Sequence, residues 1–270
     1  MKGRRHAYEH VEANLRHAMA FYARAQSGGE TRELPGVLTV SCGLNYPVFN
    51  SALLRSPVPG VDGDLSSRLA MASIQFRALG VGWSYWICHD LLDERSLRGL
   101  RSSCQTYGLE PVVTAPGMLV ESWKPPARPL PAVEVREVRD ATTRTAFAHL
   151  IATIFDLPFQ MTLNMYGNEA AWTEEYAGFL GYVDGKPVTT AMVNVSNGCC
   201  GYYSVGTAPG YRRRGYAEAV MREADREMRK RLPFEFSVLQ SSTVGRRLYE
   251  QMGFREVTRF SVFRSVPATR

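Results

Sequence analysis

The segment Val205–Ala224 reads VGTAPGYRRRGYAEAVMREA and joins three patterns. A loop containing proline and glycine comes first, three consecutive arginines follow, and a run with apolar residues at helical spacing closes it. The apolar face of this run consists of Ala217, Val220, Met221, Ala224 and Met228. The start of a helix leaves backbone N–H groups unpaired and carries partial positive charge. A cluster of arginines followed by glycine at the start of a helix therefore predicts an anion-binding site.

The overall composition is that of a globular protein. The chain has 270 residues, of which 45% are hydrophobic and 21% charged, so it is long enough for one large domain or two ordinary ones. No apolar run approaches the ~18 residues that span a bilayer, and the basic N-terminal segment lacks the apolar region of a signal peptide. The five cysteines show no CxxC spacing. We therefore expect a cytoplasmic protein with reduced thiols and no membrane partner.

The formal net charge is +6, and arginines concentrate between Arg212 and Arg231. This charge is mild for a nucleic-acid-binding protein, which usually shows a basic stripe interleaved with exposed aromatic residues. A phosphate-bearing small molecule would be attracted by the same positive field. The charge pattern favours such a molecule over nucleic acid as a partner.

The clearest break in the chain is SWKPPARPLPAVEV, with prolines at positions 125, 126, 129 and 131. Proline is excluded from helix interiors and from central strands. We interpret residues 123–131 as a linker between a first domain, residues 1–122, and a second domain, residues 132–270.

The second half predicts an α/β fold of the α+β type. AVEVREV alternates as a strand, ATTRTAFAHLIATIF is periodic as a helix, and NEAAWTEEYAGF predicts a second short helix. Three strands follow, joined by the hairpin signals Asp184-Gly185 and Asn197-Gly198. After the opening segment, FEFSVLQ predicts a strand, STVGRRLYEQM a helix that Gly253 ends, and REVTRFSVFR a last strand.

The first half repeats this order more weakly. A helix over 10–24 precedes strands at GVLTVSC and VFNSALL, then a helix at SSRLAMASIQFRALG. GWSYWICHD, SLRGLRSSCQTYGL and PGMLVE predict strand, helix and strand. This echo suggests a diverged duplication of one domain. The loop RSPVPGVDGDLSS has no arginine–glycine cluster where the second half has RRRGYA.

The R-x-x-G-x-A spacing from Arg212 to Ala217 suits a phosphate, because Gly215 and Ala217 leave the backbone open to a close approach. The hexamer alone equally fits a solvated basic helix cap. Two other phosphate motifs are absent: no lysine followed by serine or threonine comes after the last glycine, and no G-x-G-x-x-G lies within a βαβ unit.

The stretch from Thr207 to Ala217 resembles the acyl-CoA signature of the GNAT superfamily of N-acetyltransferases, V-x-P-x-Y-R-x-x-G-x-G/A. LQSSTVGRRLYEQMGF is similar to that family's second motif, N-x-x-A-x-x-L-Y-x-x-x-G-F. Ser242 stands where asparagine is frequent, and Gly245 stands where alanine is. The resemblance covers residues 132–270 and implies two GNAT-like domains, each a mixed, mostly antiparallel sheet flanked by helices, with a degenerate first copy.

The resemblance also implies site residues and a cosubstrate, acetyl-CoA. A backbone N–H near Val205 would stabilise the oxyanion, and Tyr249 would be the general acid that protonates the departing thiolate, since a phenol is protonated at pH 7. The alternative is that Tyr249 only packs between helix and sheet. The implied residues that bind acetyl-CoA are Val205, Gly206, Thr207, Arg212, Arg213, Arg214, Gly215, Tyr216, Ala217 and Ser242.

The implied activity is transfer of an acetyl group to a primary amine of a small molecule or peptide. It needs no metal, and the sequence shows no metal-ligand spacing. The general base stays open among Glu169, Glu174, Glu175, Asp156 and Tyr203, with a water chain as an alternative. Two other functions remain open: a non-catalytic CoA-binding sensor and a basic nucleic-acid-binding protein. The acceptor and the oligomeric state are not readable from the sequence.

Overall fold

The computed structural model describes residues 6–60 and 63–266. Residues 61 and 62 of the RSPVPGVDGDLSS loop, residues 1–5 of the predicted first domain and residues 267–270 of the predicted second domain lie outside the described residues. The elements of the first half are α1 (Ala7–Arg24), β1 (Glu30–Leu34), β2 (Val37–Ser41), β3 (Ser51–Leu54), α2 (Asp64–Leu79), β4 (Ser84–Cys88), α3 (Glu94–Thr106) and β5 (Leu109–Val120).

The second half follows after a stretch without helix or strand between Val120 and Glu134. Its elements are β6 (Glu134–Glu137), α4 (Ala141–Phe155), α5 (Phe159–Tyr166), β7 (Tyr176–Val183), β8 (Lys186–Ser196), β9 (Cys199–Thr207), α6 (Tyr216–Arg229), β10 (Phe236–Gln240), α7 (Arg246–Met252) and β11 (Arg255–Ser265). As the Asp-Gly and Asn-Gly signals predict, Asp184, Gly185, Asn197 and Gly198 have positive φ in the β7–β8 and β8–β9 turns.

All the strands form one sheet in the order β1-β2-β3-β4-β11-β5-β10-β9-β8-β7-β6. The last strand of each half lies beside a strand of the other half. β5 pairs antiparallel with β10, and β11 pairs antiparallel with β4. β5 and β11 pair with each other from Leu109↔Ser265 to Leu119↔Arg255. Each half therefore completes the sheet of the other.

The sheet is covered by helices on both faces. One cluster of buried residues joins Val220, Met221 and Met228 of α6 to Tyr249 and Met252 of α7. Another cluster brings together α1, α4 and the loop after β2, through Phe21, Phe147 and Phe49. Because α1 belongs to the first half and also packs on β8 and β9, the two halves share their core.

One predicted helix is wrong. NEAAWTEEYAGF contains only a 3₁₀ turn, Glu169–Ala171, and β7 begins at Tyr176. The indole of Trp172 donates to the carbonyl of Tyr166 at 3.0 Å and packs over Gly178, where a β-carbon would lie 2.7 Å from the ring. This tertiary contact outweighs the local helix propensity. The second helix is α5, which starts directly after Pro158.

The first half differs from the sequence-based expectation at two strands. β1 was not predicted, and it pairs with β2 across a turn in which Gly36 has a φ of +71°. β5 extends from Leu109 although it contains Pro111 and Pro116. β10 pairs with β5 only along Gly117–Val120, so the remainder of β5 has one side on which a missing N–H costs no ladder bond.

Among the described residues, no helix is both long and apolar enough to cross a membrane.

Candidate acyl-CoA site

The candidate site lies where two parallel strands separate. β9 pairs with β10 from Cys199↔Phe236 to Tyr202↔Leu239. Beyond Tyr202, β9 continues along β8 as far as Thr207, while β10 continues along β5. The ladder between β9 and β10 therefore ends near the carboxyl ends of both strands, and such strand ends are where ligands bind in many α/β sheets.

A β-bulge lies directly after the last residues that β9 pairs with β10. Ser204 and Val205 of β9 face Ala191 alone, because the register with β8 shifts between Thr190↔Gly206 and Met192↔Tyr203. Ser204 has a φ of +49°, which is uncommon for a residue with a side chain. The Thr190 hydroxyl holds this conformation by donating to the Ser204 carbonyl at 2.7 Å. Bulges and strained residues of this kind occur near active sites, where they re-aim backbone groups.

The predicted phosphate loop follows β9 directly. A 3₁₀ turn, Pro209–Tyr211, leads into the arginines, and α6 begins after Gly215. Gly215 is the N-cap residue with a φ of +92°, and Arg213 also adopts positive φ at +64°. The turn thus presents the first N–H groups of a fourteen-residue helix beside exposed arginines. This arrangement fits a diphosphate.

The arginines of the loop have different partners. Arg212 folds back and donates from Nε to the Thr207 carbonyl at 3.1 Å. Arg214 lies over the ring of Tyr211, with 5.7 Å between Cζ and the ring centroid. Arg222, about two turns further along α6, forms an ion pair with Glu218 at 2.7 Å and donates to the Lys124 carbonyl at 2.6 Å. Arg222 thereby ties α6 to the linker.

The predicted acid Tyr249 lies on α7 and is buried, with 8% of its surface exposed. It belongs to the same cluster of buried residues as Tyr202 and Leu239, the last pair before the strands separate. Burial raises the pKa of its phenol to about 12. A phenol with this pKa stays protonated at neutral pH, as a proton donor must.

The turn before α7 explains the two departures from the second motif. The Ser242 hydroxyl accepts from the N–H of Gly245 at 3.1 Å, so it caps this turn as an asparagine side chain does elsewhere. A β-carbon at Gly245 would lie 2.8 Å from Cε2 of Tyr249. Glycine therefore leaves room for the tyrosine ring at this position.

The structure brings Val205, Gly206 and Thr207 together with the phosphate loop on one continuous segment. Gly206 lies against α4, because a β-carbon there would be 2.5 Å from Cγ2 of Ile154. Tyr216 is buried, whereas Arg212, Arg213 and Arg214 are exposed. Tyr249 belongs to the same buried cluster as Tyr202, and Val205 packs against this cluster.

Sequence reasoning missed a row of hydroxyl groups from both halves. The Tyr22 hydroxyl of α1 lies 3.3 Å from that of Tyr166 on α5, and the Tyr166 hydroxyl lies 3.1 Å from Oγ of Ser204. Nearby, Gln26, two residues beyond the end of α1, donates to the Asn164 carbonyl at 2.6 Å. No local pattern marks these residues, since they meet only through the packing of α1 against α5.

The candidate bases are spread out. Glu169 pairs with Arg144 at 3.1 Å and is largely exposed, and Glu174, Glu175 and Asp156 are exposed as well. The Tyr203 hydroxyl donates to Oδ1 of Asn14 at 2.6 Å, and burial raises its pKa well above the usual value. Within residues 6–60 and 63–266, no group of three or more His, Cys, Asp or Glu side chains is placed to hold a metal ion.

The match to a known family covers this site. Residues 145–254, from α4 to the end of the turn after α7, match the model of the acetyltransferase (GNAT) family. No curated protein matches the chain.

Several solved structures share the fold. The structure of a GCN5-related N-acetyltransferase from Kribbella flavida superposes with a TM-score of 0.71 at 16% identity and covers 96% of each chain. A tandem GNAT protein from the clavulanic acid biosynthesis pathway gives a TM-score of 0.55 at 11% identity over 97% of each chain. A GCN5-related N-acetyltransferase from Sphaerobacter thermophilus gives 0.55 at 20% identity, over 85% of this chain and 76% of the other. Residues 145–254 of this chain thus match the acetyltransferase (GNAT) family, and the chain shares its fold with proteins described as GCN5-related N-acetyltransferases.

Proposed function

We propose that this protein is an acetyl-CoA-dependent N-acetyltransferase that acetylates a primary amine of a small molecule or peptide. The observation that carries the proposal is the left-handed N-cap Gly215, flanked by exposed arginines, at the open end of the separated strands β9 and β10. In this reading the diphosphate is the anion held by the amides from Arg212 to Ala217. All five cysteines are buried thiols, which fits a cytoplasmic protein.

We further propose that the chain is a tandem of two GNAT-like copies, divided near residues 123–131, and that the first copy does not bind CoA. β3 and β4 are parallel neighbours joined through α2, as β9 and β10 are through α6. The N-cap of α2, Gly63, has a φ of +87°, close to that of Gly215.

The first copy differs at the anion position. Its helix opens with Asp64, whose carboxylate repels phosphate and pairs with the buried Arg68 at 2.9 Å. The Arg68 guanidinium also donates to the carbonyls of Ser56 and Pro57, at 2.6 and 2.8 Å. This buried side chain occupies the loop of the first copy that corresponds to the arginine-rich loop of the second.

Bound acetyl-CoA supplies the thioester that a neutral amine attacks. A backbone N–H at Val205, turned by the bulge, stabilises the charge that develops on the carbonyl oxygen. The phenol of Tyr249 would donate its proton to the sulfur as the carbon–sulfur bond breaks, and the proton lost by the attacking nitrogen would pass to one of the candidate bases or to a water chain. The exposed arginines hold the phosphates away from this chemistry.

Thermal unfolding tests whether the loop around Gly215 binds the diphosphate of acetyl-CoA. Acetyl-CoA is expected to raise Tm, because a ligand that binds only the folded state stabilises it. Gly215→Glu should abolish this shift, since it places an anion where phosphate belongs. Gly63→Glu is the matched control: it introduces the same side chain at an equally left-handed N-cap, where no atom of the described residues beyond its chain neighbours lies within 4 Å of the β-carbon position, and it should keep the full shift.

If acetyl-CoA still raises the Tm of Gly215→Glu, the diphosphate does not bind at Gly215. Loss of the Tm shift in Gly63→Glu would contradict the assignment as well. Turnover is measured separately, as CoA release from acetyl-CoA with a panel of amines, peptides and aminoglycosides. Binding without turnover on any acceptor would favour a CoA sensor over an enzyme.

A further inference from the structure

The linker, residues 123–131, packs along α6. At its start, Nε1 of Trp123 donates to the Ser237 hydroxyl at 2.9 Å. The guanidinium of Arg222 lies over the Trp123 ring, with Cζ 5.5 Å from the centroid, and donates to the Lys124 carbonyl. The linker is thus fixed beside the middle of the helix that begins at the phosphate loop.

The far end of the linker reaches the loop itself. Nη2 of Arg128 donates to the carbonyl of Arg213 at 2.9 Å. A β-carbon at Gly215 would lie 3.1 Å from Cδ of Pro131 and 3.6 Å from Nη2 of Arg128. The guanidinium of Arg128 therefore lies next to the N-cap of α6, although the residue lies outside both family motifs and outside the segment 145–254.

The charge of Arg128 is available to a ligand. Its side chain is exposed, and the bond to the Arg213 carbonyl uses one of five guanidinium donors. Arg222, which could reach a phosphate from the same helix, instead pairs with Glu218 and the linker carbonyl. A guanidinium held at a helix N-terminus binds phosphate by charge-assisted hydrogen bonds.

We propose that Arg128 binds the diphosphate of coenzyme A, so that the linker between the two halves supplies part of the cosubstrate site. This inference rests on the proposed function. It predicts that the contact is to the diphosphate, which is the group that belongs at Gly215, and not to the 3′-phosphate of the adenosine.

Calorimetric titration tests the contact with three probes: CoA, dephospho-CoA and pantetheine. Arg128→Ala should weaken the binding of CoA and of dephospho-CoA by about 10-fold each, the range of one charge-assisted contact. It should leave the affinity for pantetheine, which has no phosphate, unchanged. Arg128→Lys keeps the charge without the planar fork, so it should restore part of the lost affinity.

Arg98→Ala is the matched control, because it removes the same charge from an exposed arginine on α3 of the first half. It should change none of the three affinities. Unchanged CoA binding in Arg128→Ala would overturn the proposal, and a loss confined to CoA would move the contact to the 3′-phosphate and overturn it as well. If the wild-type protein binds neither nucleotide, the proposed function itself fails and the assignment of Arg128 falls with it.

Discussion

At the scale of single residues, Tyr249 is the side chain whose role is most directly testable. Tyr249→Phe keeps the ring in its buried cluster and removes only the hydroxyl. If the phenol protonates the departing thiolate, kcat and kcat/KM should fall together by about 10²–10⁴, with little change in acetyl-CoA affinity. Steady-state kinetics with a verified acceptor measures this loss. Turnover within a few-fold of wild type would show that the tyrosine only packs.

The raised pKa adds a second readout for the same residue. With a pKa of about 12, the phenol stays protonated throughout the range from pH 7 to 10. The ratio of wild-type to Tyr249→Phe turnover should therefore stay constant across that range, whereas a phenol with the ordinary pKa of about 10 would make the ratio shrink toward its upper end. Tyr85→Phe is the control: this buried hydroxyl of the first half has no hydrogen-bond partner among the described residues, and its removal should leave turnover unchanged.

At the scale of elements, β5 is the strand that joins the two halves, and Gly117 is its tightest point. A β-carbon there would lie 2.5 Å from Cγ2 of Thr258 and 2.8 Å from Cε2 of Phe260. Gly117→Ala should lower the free energy of unfolding by about 1–3 kcal/mol, the cost of overpacking. Gly99→Ala, inside α3 with only Ser103 at 4.0 Å, should raise it by about 0.5–1 kcal/mol. Denaturant titration of both variants checks these opposite signs, and similar effects at the two glycines would contradict the close packing of β5.

At the scale of the whole molecule, the last strand of each half pairs with a strand of the other half: β5 pairs with β10, and β11 pairs with β4. We therefore expect that neither half is stable alone. Residues 127–270 by themselves lack β5, which leaves β10 and β11 without their common neighbour. The two halves can instead be co-expressed as separate chains, residues 1–126 and residues 127–270. They should co-purify as one complex that binds CoA and unfolds in a single transition. Gel filtration and calorimetry decide this. If fragment 127–270 folds and binds CoA alone, β5 is not needed for the stability of the second half.

The sequence by itself determined the features that depend on neighbouring residues. The hairpin turns at Asp184-Gly185 and Asn197-Gly198, the glycine-capped start of α6 and the end of α7 at Gly253 all follow from local backbone preferences. The proposed phosphate loop can be predicted for the same reason, since its backbone amides and arginines lie on one short segment. The family resemblance and the α/β fold class rest on these local signals.

Only the tertiary structure decided which distant segments meet. It replaced the predicted helix at 168–179 by a turn, because Trp172 packs over Gly178. β5 pairs between β10 and β11. The Tyr22 hydroxyl contacts that of Tyr166, which in turn contacts Ser204. Arg128 lies beside Gly215 and donates to the carbonyl of Arg213. These contacts join residues far apart in the chain, and packing energy summed over the whole sheet selects them, so no local pattern encodes them.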